Sequence, residues 1–344
     1  MALEKILADL HTHLNEKKVK PRDWWEGAKK RKLRVVAITE HPQYDPLDAY
    51  LQLKATKPKG ILLIPGIEVR TNAGDLLVYG EDESIYGVEE FLKKDVAVEK
   101  ALARVKELKL TASFAHPYGY KHDSVCEVIG EKKAKTLIKK YKLGTEYYNG
   151  MLGSASYLVF GGKAVRRVYS LVAFVERNKL SKVLHISKGG AKAKTRMDKM
   201  AQNAVGRIQK PILFSKNAYF ITAGSDAHYP KALGSGVIEL KKMPKNEKEF
   251  LLMLKNKRTI WAGPNIYSKN PVDKIGRKEI LGGLGYLTKK SIARKRKNGL
   301  NTKIGRKIGL GKRIKTIKRI TKRVKLRKIR TKFPRIRKKL FRRK

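Results

Sequence analysis

Ile6-Leu7-Ala8-Asp9-Leu10-His11-Thr12-His13 is a short apolar run that ends on two histidines. The same design recurs along the chain. Val35 to Ile38 leads into Thr39-Glu40-His41, Ile61 to Ile67 into Glu68, Thr111 to Ala115 into His116-Pro117, and Tyr219 to Ala223 into Gly224-Ser225-Asp226-Ala227-His228. Five of the seven histidines fall in these blocks. Short apolar and β-branched runs bounded by Gly, Pro or polar residues read as strands. Between them lie helix-like segments, at Pro21 to Leu33, Pro46 to Lys54, Val88 to Leu108, Val125 to Tyr141 and Asn246 to Lys257. Strand alternating with helix predicts a parallel sheet, and ligand-type residues at successive strand ends favour an α/β barrel that gathers them on one face. Met151 to Tyr157, small and polar, reads as a loop, and Trp24 and Trp25 fall on an amphipathic helix pattern, where core packing explains at least one of them better than base stacking does.

Charge divides the chain. The formal net charge is +51 over 344 residues. No Asp or Glu occurs from Ile280 to Lys344, and Lys and Arg make up nearly half of the residues after Gly285. Lys269-Asn270-Pro271 and Gly282-Gly283-Leu284-Gly285 carry turn and linker composition. The expected organisation is a barrel over 1–268, a linker over 269–288 and a basic tail over 289–344. Isoleucines at 304, 308, 314, 317 and 320 keep near-helical spacing, whereas several glycines and Pro334 oppose a continuous helix. The tail is therefore expected to be partly helical or disordered until it meets a polyanion. Nucleic acid is the first candidate, because each neutralised phosphate releases a counterion. An anionic membrane surface is the second.

Cys126 is the only cysteine, which excludes an intrachain disulfide and fits a reducing, cytoplasmic setting. No apolar run is long enough for a transmembrane segment, and Met1-Ala2-Leu3-Glu4-Lys5 does not read as a signal peptide. There is no Gly-x-Ser-x-Gly elbow, no phosphate-binding Walker loop and no zinc-finger cysteine pattern. The oligomeric state is not encoded in any feature of the sequence.

Taken in order, the five blocks ending in His13, His41, Glu68, His116 and His228 resemble the PHP (polymerase and histidinol phosphatase) superfamily, over roughly residues 1–265. The resemblance implies a distorted seven-stranded (β/α) barrel with two or three divalent metals at the carboxyl ends of the strands. It implies an enzyme, a metal-dependent phosphoesterase acting on monoesters or diesters. By the same resemblance, His11, His13, Glu68 and Asp226 hold the first metal. Glu68 bridges to a second that His116 shares, Glu146 adds a further ligand there, and His41 and His228 belong to a third. Imidazole and carboxylate ligands without thiolate suit Zn, Mn or Fe. Such ions activate a water for attack on phosphorus, so no protein nucleophile is required.

Two positions depart from the family pattern. Where many relatives carry an aspartate about five residues after the second histidine, this chain has Lys18; Glu16 reaching in, the Lys18 ammonium, or a weak third site are the alternatives. Glu40 replaces the usual aspartate before His41. Substrate phosphate is expected to meet Arg70, on the same side of its strand as Glu68, Lys121 after the His116 turn, and Lys188 in a basic Gly-rich stretch. His122 and His185 match no block, although His185 ends a plausible strand over Lys182 to Ser187. The expected activity is hydrolysis of phosphate esters on nucleic acid or nucleotides. The alternatives are a small-molecule phosphatase of histidinol phosphate type and a degenerate nucleic-acid-binding module without turnover.

Overall fold

The computed structural model describes residues 5–119, 121–161, 199, 202–203 and 205–266. The linker, the basic tail, Lys188, His185 and the strand expected over Lys182 to Ser187 lie outside the described residues. Nine strands build one sheet: β1 (Ile6–Asp9), β2 (Leu33–Ile38), β3 (Leu62–Thr71), β4 (Gly74–Tyr79), β5 (Thr111–Phe114), β6 (Gly144–Asn149), β7 (Ile221–Gly224), β8 (Gly236–Leu240) and β9 (Thr259–Pro264). Their order is β7-β6-β5-β4-β3-β2-β1-β8-β9. β1, β2 and β3 pair in parallel, β4 runs antiparallel to both β3 and β5, and β5, β6 and β7 are again parallel. Six of the first seven strands thus share a direction, and their carboxyl ends open on one side.

The ring closes between its first and seventh members. Leu10 N donates to Ala223 O at 3.2 Å, His13 N donates to Ala227 O at 2.9 Å, and Thr12 bridges Ala227. β8 lies antiparallel to β1, with β9 outside it. The α/β barrel expected from the alternation is therefore present, distorted by one reversed strand and extended by two strands that the apolar runs did not disclose.

Period-2 alternation sorts the strand side chains into two cores. Val35 and Ala37 of β2 join Ala8, Ile64, Leu77 and Phe220 in one cluster, which Phe250 and Leu254 of the helix Glu247–Lys255 complete. Val36 and Ile38 face the other way, toward Leu7, Leu63, Val78, Trp24, Leu53 and Leu102. Trp24 and Trp25 are core residues, their indole N–H groups donating to His13 O and Leu53 O respectively.

Three helix readings change. Val88 to Leu108 is split into Glu89–Leu92 and Val98–Glu107, because Val96 leaves the helix to exchange backbone bonds with Arg70 and Asn72 beside β3. Val125 to Tyr141 is broken at Gly130, whose φ of 81° suits glycine. Met151 to Tyr157 is not a loop: Gly150–Gly161 is helical, and Asn149 Oδ1 accepts from Leu152 N at 3.0 Å in its first turn.

The barrel seam is tight at Gly224, where an added Cβ would stand 2.3 Å from His11 Cβ and 2.5 Å from His11 N. Gly224→Ala should therefore lower stability by about 1–3 kcal/mol, read by denaturant unfolding; a variant as stable as the parent would show that the seam is looser than described.

Candidate metal centre

Each strand delivers its polar block just beyond its last paired residue. β1 ends at Asp9, and the extended segment after it carries His11 and His13, which two-residue spacing puts on one side. Asp9 itself is a structural anchor: it accepts from Ser225 N at 2.8 Å, Gly234 N at 2.7 Å and His11 N at 3.4 Å. Burial pushes its carboxyl up to about 6 against the lowering effect of these bonds. Asp226 N donates to His11 O at 2.7 Å, so the first and last blocks are locked together.

Glu68 is the centre of the cluster. Its Oε2 lies 3.1 Å from His11 Nε2, 3.4 Å from His13 Nε2 and 3.3 Å from His41 Nδ1, while Oε1 lies 3.1 Å from His116 Nε2. Asp226 Oδ1 stands 3.4 Å from His13 Nε2 and 3.7 Å from His11 Nε2. Three groups of donor atoms converge: His11, His13 and Asp226; His11, Glu68 and His116; His13, His41 and Glu68. All of these residues are buried. The nitrogens His11 Nε2, His13 Nε2 and His41 Nδ1 are buried without a hydrogen bond, although each faces a carboxylate oxygen. Donors that converge without pairing fit cations, and imidazole with carboxylate is a suitable set for Zn, Mn or Fe.

The remaining ring nitrogens are fixed from behind. Glu40 Oε1 meets His13 Nδ1 at 3.3 Å, and Glu146 Oε1 meets His11 Nδ1 at 3.1 Å. A carboxylate on the far nitrogen sets the tautomer and aims the near nitrogen into the pocket. The other Glu146 oxygen accepts from His116 N at 2.7 Å and Asn149 Nδ2 at 3.1 Å. Glu146 thus faces the back of His11 and stands outside the three converging groups. His116 has φ 25° and Asp226 φ 53°, left-handed values that a side-chain-bearing residue adopts at a cost of about 1–3 kcal/mol. Glu146 and the His11 carbonyl hold these two backbones.

Electrostatics follow from burial of so many acids with so many imidazoles. Burial opposes charge on His13 and His116, yet Asp226, Glu40 and Glu68 raise the former to about 10, and Glu68, Asp226 and Glu146 raise the latter to about 9. His41 goes the other way, to about 4, through burial and the neighbouring His13 and Arg70. Although burial works to raise them, the histidines hold Glu68 and Asp226 below the usual carboxylate range. A field that favours protons on imidazole nitrogen also favours divalent cations there.

His228 stacks on His13 with ring centroids 4.4 Å apart, and its Nε2 lies 3.0 Å from Glu16 Oε2. Arg70 Nη2 is 3.4 Å from His41 Nε2, at the edge of the cluster. Lys121 and His122 are exposed, as is Lys18, at the end of the turn carrying Glu16. Asn149 was not singled out by the sequence. A register shift between Glu146 and Tyr148 explains why: the bulge brings Glu146 and Asn149, three apart, to the same cluster, where Asn149 Nδ2 donates to Glu146 and, at 3.3 Å, to Asp226 Oδ2. Asp75, opposite Arg70 in the β3–β4 register, is likewise new; burial, then Glu68, pushes its carboxyl well up.

Residues 213–259, spanning β7, Asp226, His228 and β8, match the PHP-associated (PHP_C) family. A comparison with curated proteins returns no match. Among solved structures, similarity extends to a two-domain protein of Bacteroides vulgatus described as containing a predicted PHP-like metal-dependent phosphoesterase, with 18% identity over 74% of this chain and 64% of that one, at TM-score 0.46. It extends also to the lesion-specific endonuclease PfuEndoQ of Pyrococcus furiosus, with 14% identity over 74% of this chain and 56% of that one, at TM-score 0.41. The chain spans less than two thirds of the length of either structure.

Replacing Asn149 with alanine removes the clamp on Glu146 and Asp226 without touching a histidine. Metal affinity, measured by competition with a chromogenic chelator, should fall about 10- to 100-fold; unchanged affinity would mean the two carboxylates need no such support.

Proposed function

We propose that this chain is a divalent-metal-dependent phosphoesterase of PHP type acting on nucleic acid or nucleotide phosphates, a reading that the match of residues 213–259 to the PHP-associated family supports. The observation that carries the hydrolytic reading is Glu68, one carboxylate whose two oxygens face the nitrogens of four histidines. A carboxylate so placed would help to hold divalent cations together with those imidazoles. In this reading His11, His13 and Asp226 hold one ion, and Glu68 and His116 reach a second. His41 and His228 extend the site. Glu146, the further ligand of the sequence reading, instead orients His11 by its Nδ1 contact. Divalent cations bound there would lower the pKa of water toward about 7 and neutralise charge on the phosphoryl oxygens. The chain's own groups then orient and bind: Glu40 and Glu146 fix the tautomers of His13 and His11, and Arg70 at the edge offers a forked donor to a phosphate oxygen. Lys121 and Lys188 are further phosphate contacts in the same proposal.

Support for nucleic acid comes from charge. The formal +51, with no acid beyond Glu279, gives residues 289–344, which follow a barrel of 1–268 in the sequence, the character of a polyanion-binding arm. No helix among the described residues is long and apolar enough to cross a membrane. The single cysteine suits a reducing, cytoplasmic setting.

The test uses the full chain purified without chelator and assayed with manganese and with zinc on a generic phosphodiester and a phosphomonoester. Metal-dependent turnover is expected, and Glu68→Ala or Asp226→Ala should remove bound metal and activity together, with kcat falling by at least about 100-fold. Retained metal stoichiometry in both variants would overturn the ligand assignment; no turnover of either ester with metal bound would leave a binding module. Truncation after Gly285 should spare hydrolysis of the small ester and abolish salt-sensitive retention on nucleic acid. An unchanged salt slope would assign the binding to the barrel instead.

A further inference from the structure

The block that ends in His41 continues as Pro42-Gln43-Tyr44-Asp45-Pro46, and this stretch leaves an aromatic ring beside the cluster. Tyr44 closes a 3-10 turn, Pro42–Tyr44, and its ring centroid lies 6.4 Å from that of His41. The residue is 37% exposed, and His41 is its one ring neighbour among the described residues. Tyrosines that serve the fold are placed differently. Tyr79 is buried and donates to Leu10 O at 2.9 Å, and the hydroxyl of buried Tyr86 accepts from Gly66 N at 3.1 Å. The Tyr44 hydroxyl makes no hydrogen bond to the described residues. Tyr219 is as exposed, at 39%, but it precedes β7 and so lies at the strand end away from the cluster.

The backbone behind the Tyr44 ring is fixed. Tyr44 N donates to His41 O at 3.0 Å, and Asn15 Nδ2 donates to Tyr44 O at 3.1 Å and Asp45 O at 3.3 Å. Asp45, in the left-handed region with φ 55°, caps the helix Pro46–Ala55 by accepting from Asp48 N at 3.0 Å. Pro42 and Pro46 restrict the chain on either side. A ring presented on so constrained a turn has little freedom left to lose on meeting a planar ligand. Cations accompany it. Arg70 Nη2 is 3.4 Å from His41 Nε2, and the Lys17 ammonium, bound to Glu16, lies within electrostatic reach of the hydroxyls of Tyr229 and Tyr44.

We propose that Tyr44 is the base-stacking residue of this site, which takes a nucleoside phosphate with its phosphate at the Glu68 cluster and its base on the open face of the Tyr44 ring. The inference rests on the phosphoesterase reading and narrows it, because a basic tail can localise the chain on nucleic acid without any base being recognised at the site. Stacking on an aromatic ring is tolerant of base identity, since every base has a π-face. The site therefore selects for the presence of a base and not for a sequence. A phosphate ester without a base leaves the ring in water.

The experiment is competition at the active site. Full-length protein loaded with manganese hydrolyses a generic phosphodiester in the presence of adenosine 5′-monophosphate or ribose 5-phosphate, two competitors with the same sugar and phosphate that differ in the base. The nucleotide should be the stronger inhibitor of the parent. Tyr44→Ala should raise its inhibition constant about 5- to 150-fold, with ribose 5-phosphate inhibiting parent and variant alike. Tyr44→Phe should keep the preference for the nucleotide, and so should Tyr219→Ala. A triadenylate is the third competitor: stronger inhibition than the mononucleotide, again weakened in Tyr44→Ala, assigns the base to a strand, and equal inhibition assigns it to a free nucleotide. Equal inhibition of the parent by nucleotide and sugar phosphate, or a preference that survives in Tyr44→Ala, would overturn the inference alone. A loss in Tyr44→Phe as large as in Tyr44→Ala would overturn stacking in favour of the hydroxyl. Absence of any metal-dependent turnover would overturn it together with the phosphoesterase reading.

Discussion

Burying Glu68 and Asp226 among His11, His13, His41 and His116 is the arrangement on which the rest of this structure depends. A carboxylate withdrawn from water is costly unless partners meet both of its oxygens. Glu68 has imidazole nitrogens within 3.1 to 3.4 Å on every side, and Asp226 shares two of them. The histidines follow β1, β2 and β5 while the two acids come from β3 and the end of β7, so the charge problem is solved only when the ring of strands has closed. Closure and site assembly are the same event.

The supporting groups follow from that requirement. Asp9 ties the end of β1 to Ser225 and Gly234, and Glu146 with Asn149 ties β6 to His11, His116 and Asp226. Glu40 ties β2 to His13 and to the turn beyond it. Each fixes a ring or a backbone without facing the pocket centre. The left-handed backbones of His116 and Asp226 are tolerated because these bonds determine them from two sides.

Much of this was legible in the sequence where hydrophobic pattern and polar block coincide. The five apolar runs became β1, β2, β3, β5 and β7, shifted by one to four residues at their ends, because strands buried on both faces read as nearly continuous apolar stretches. The blocks at their carboxyl ends came together for the same reason. The Gly144–Asn149, Gly236–Leu240 and Thr259–Pro264 strands were missed: the first is largely polar, the second is five residues long, and the third carries Gly263 and Pro264, which read as turn. The helix Gly150–Gly161 was hidden by its Gly and Ser content, although the Asn149 side chain that caps its first turn is a local signal. The inward reach of Glu16 and the bulge that turns Asn149 toward Glu146 depend on local backbone departures that no period of two or 3.6 contains. Roles that rest on which nitrogen of a ring faces which oxygen, as for Glu146, need coordinates.

The most direct measurement is anomalous diffraction from crystals grown with manganese. The account predicts two peaks about 3.5–4 Å apart, one on each oxygen of Glu68, with the nitrogens of His11, His13 and His116 and an oxygen of Asp226 at about 2.0–2.2 Å. Glu68 flanked by no peak, in crystals that bind manganese elsewhere on the chain, would contradict it.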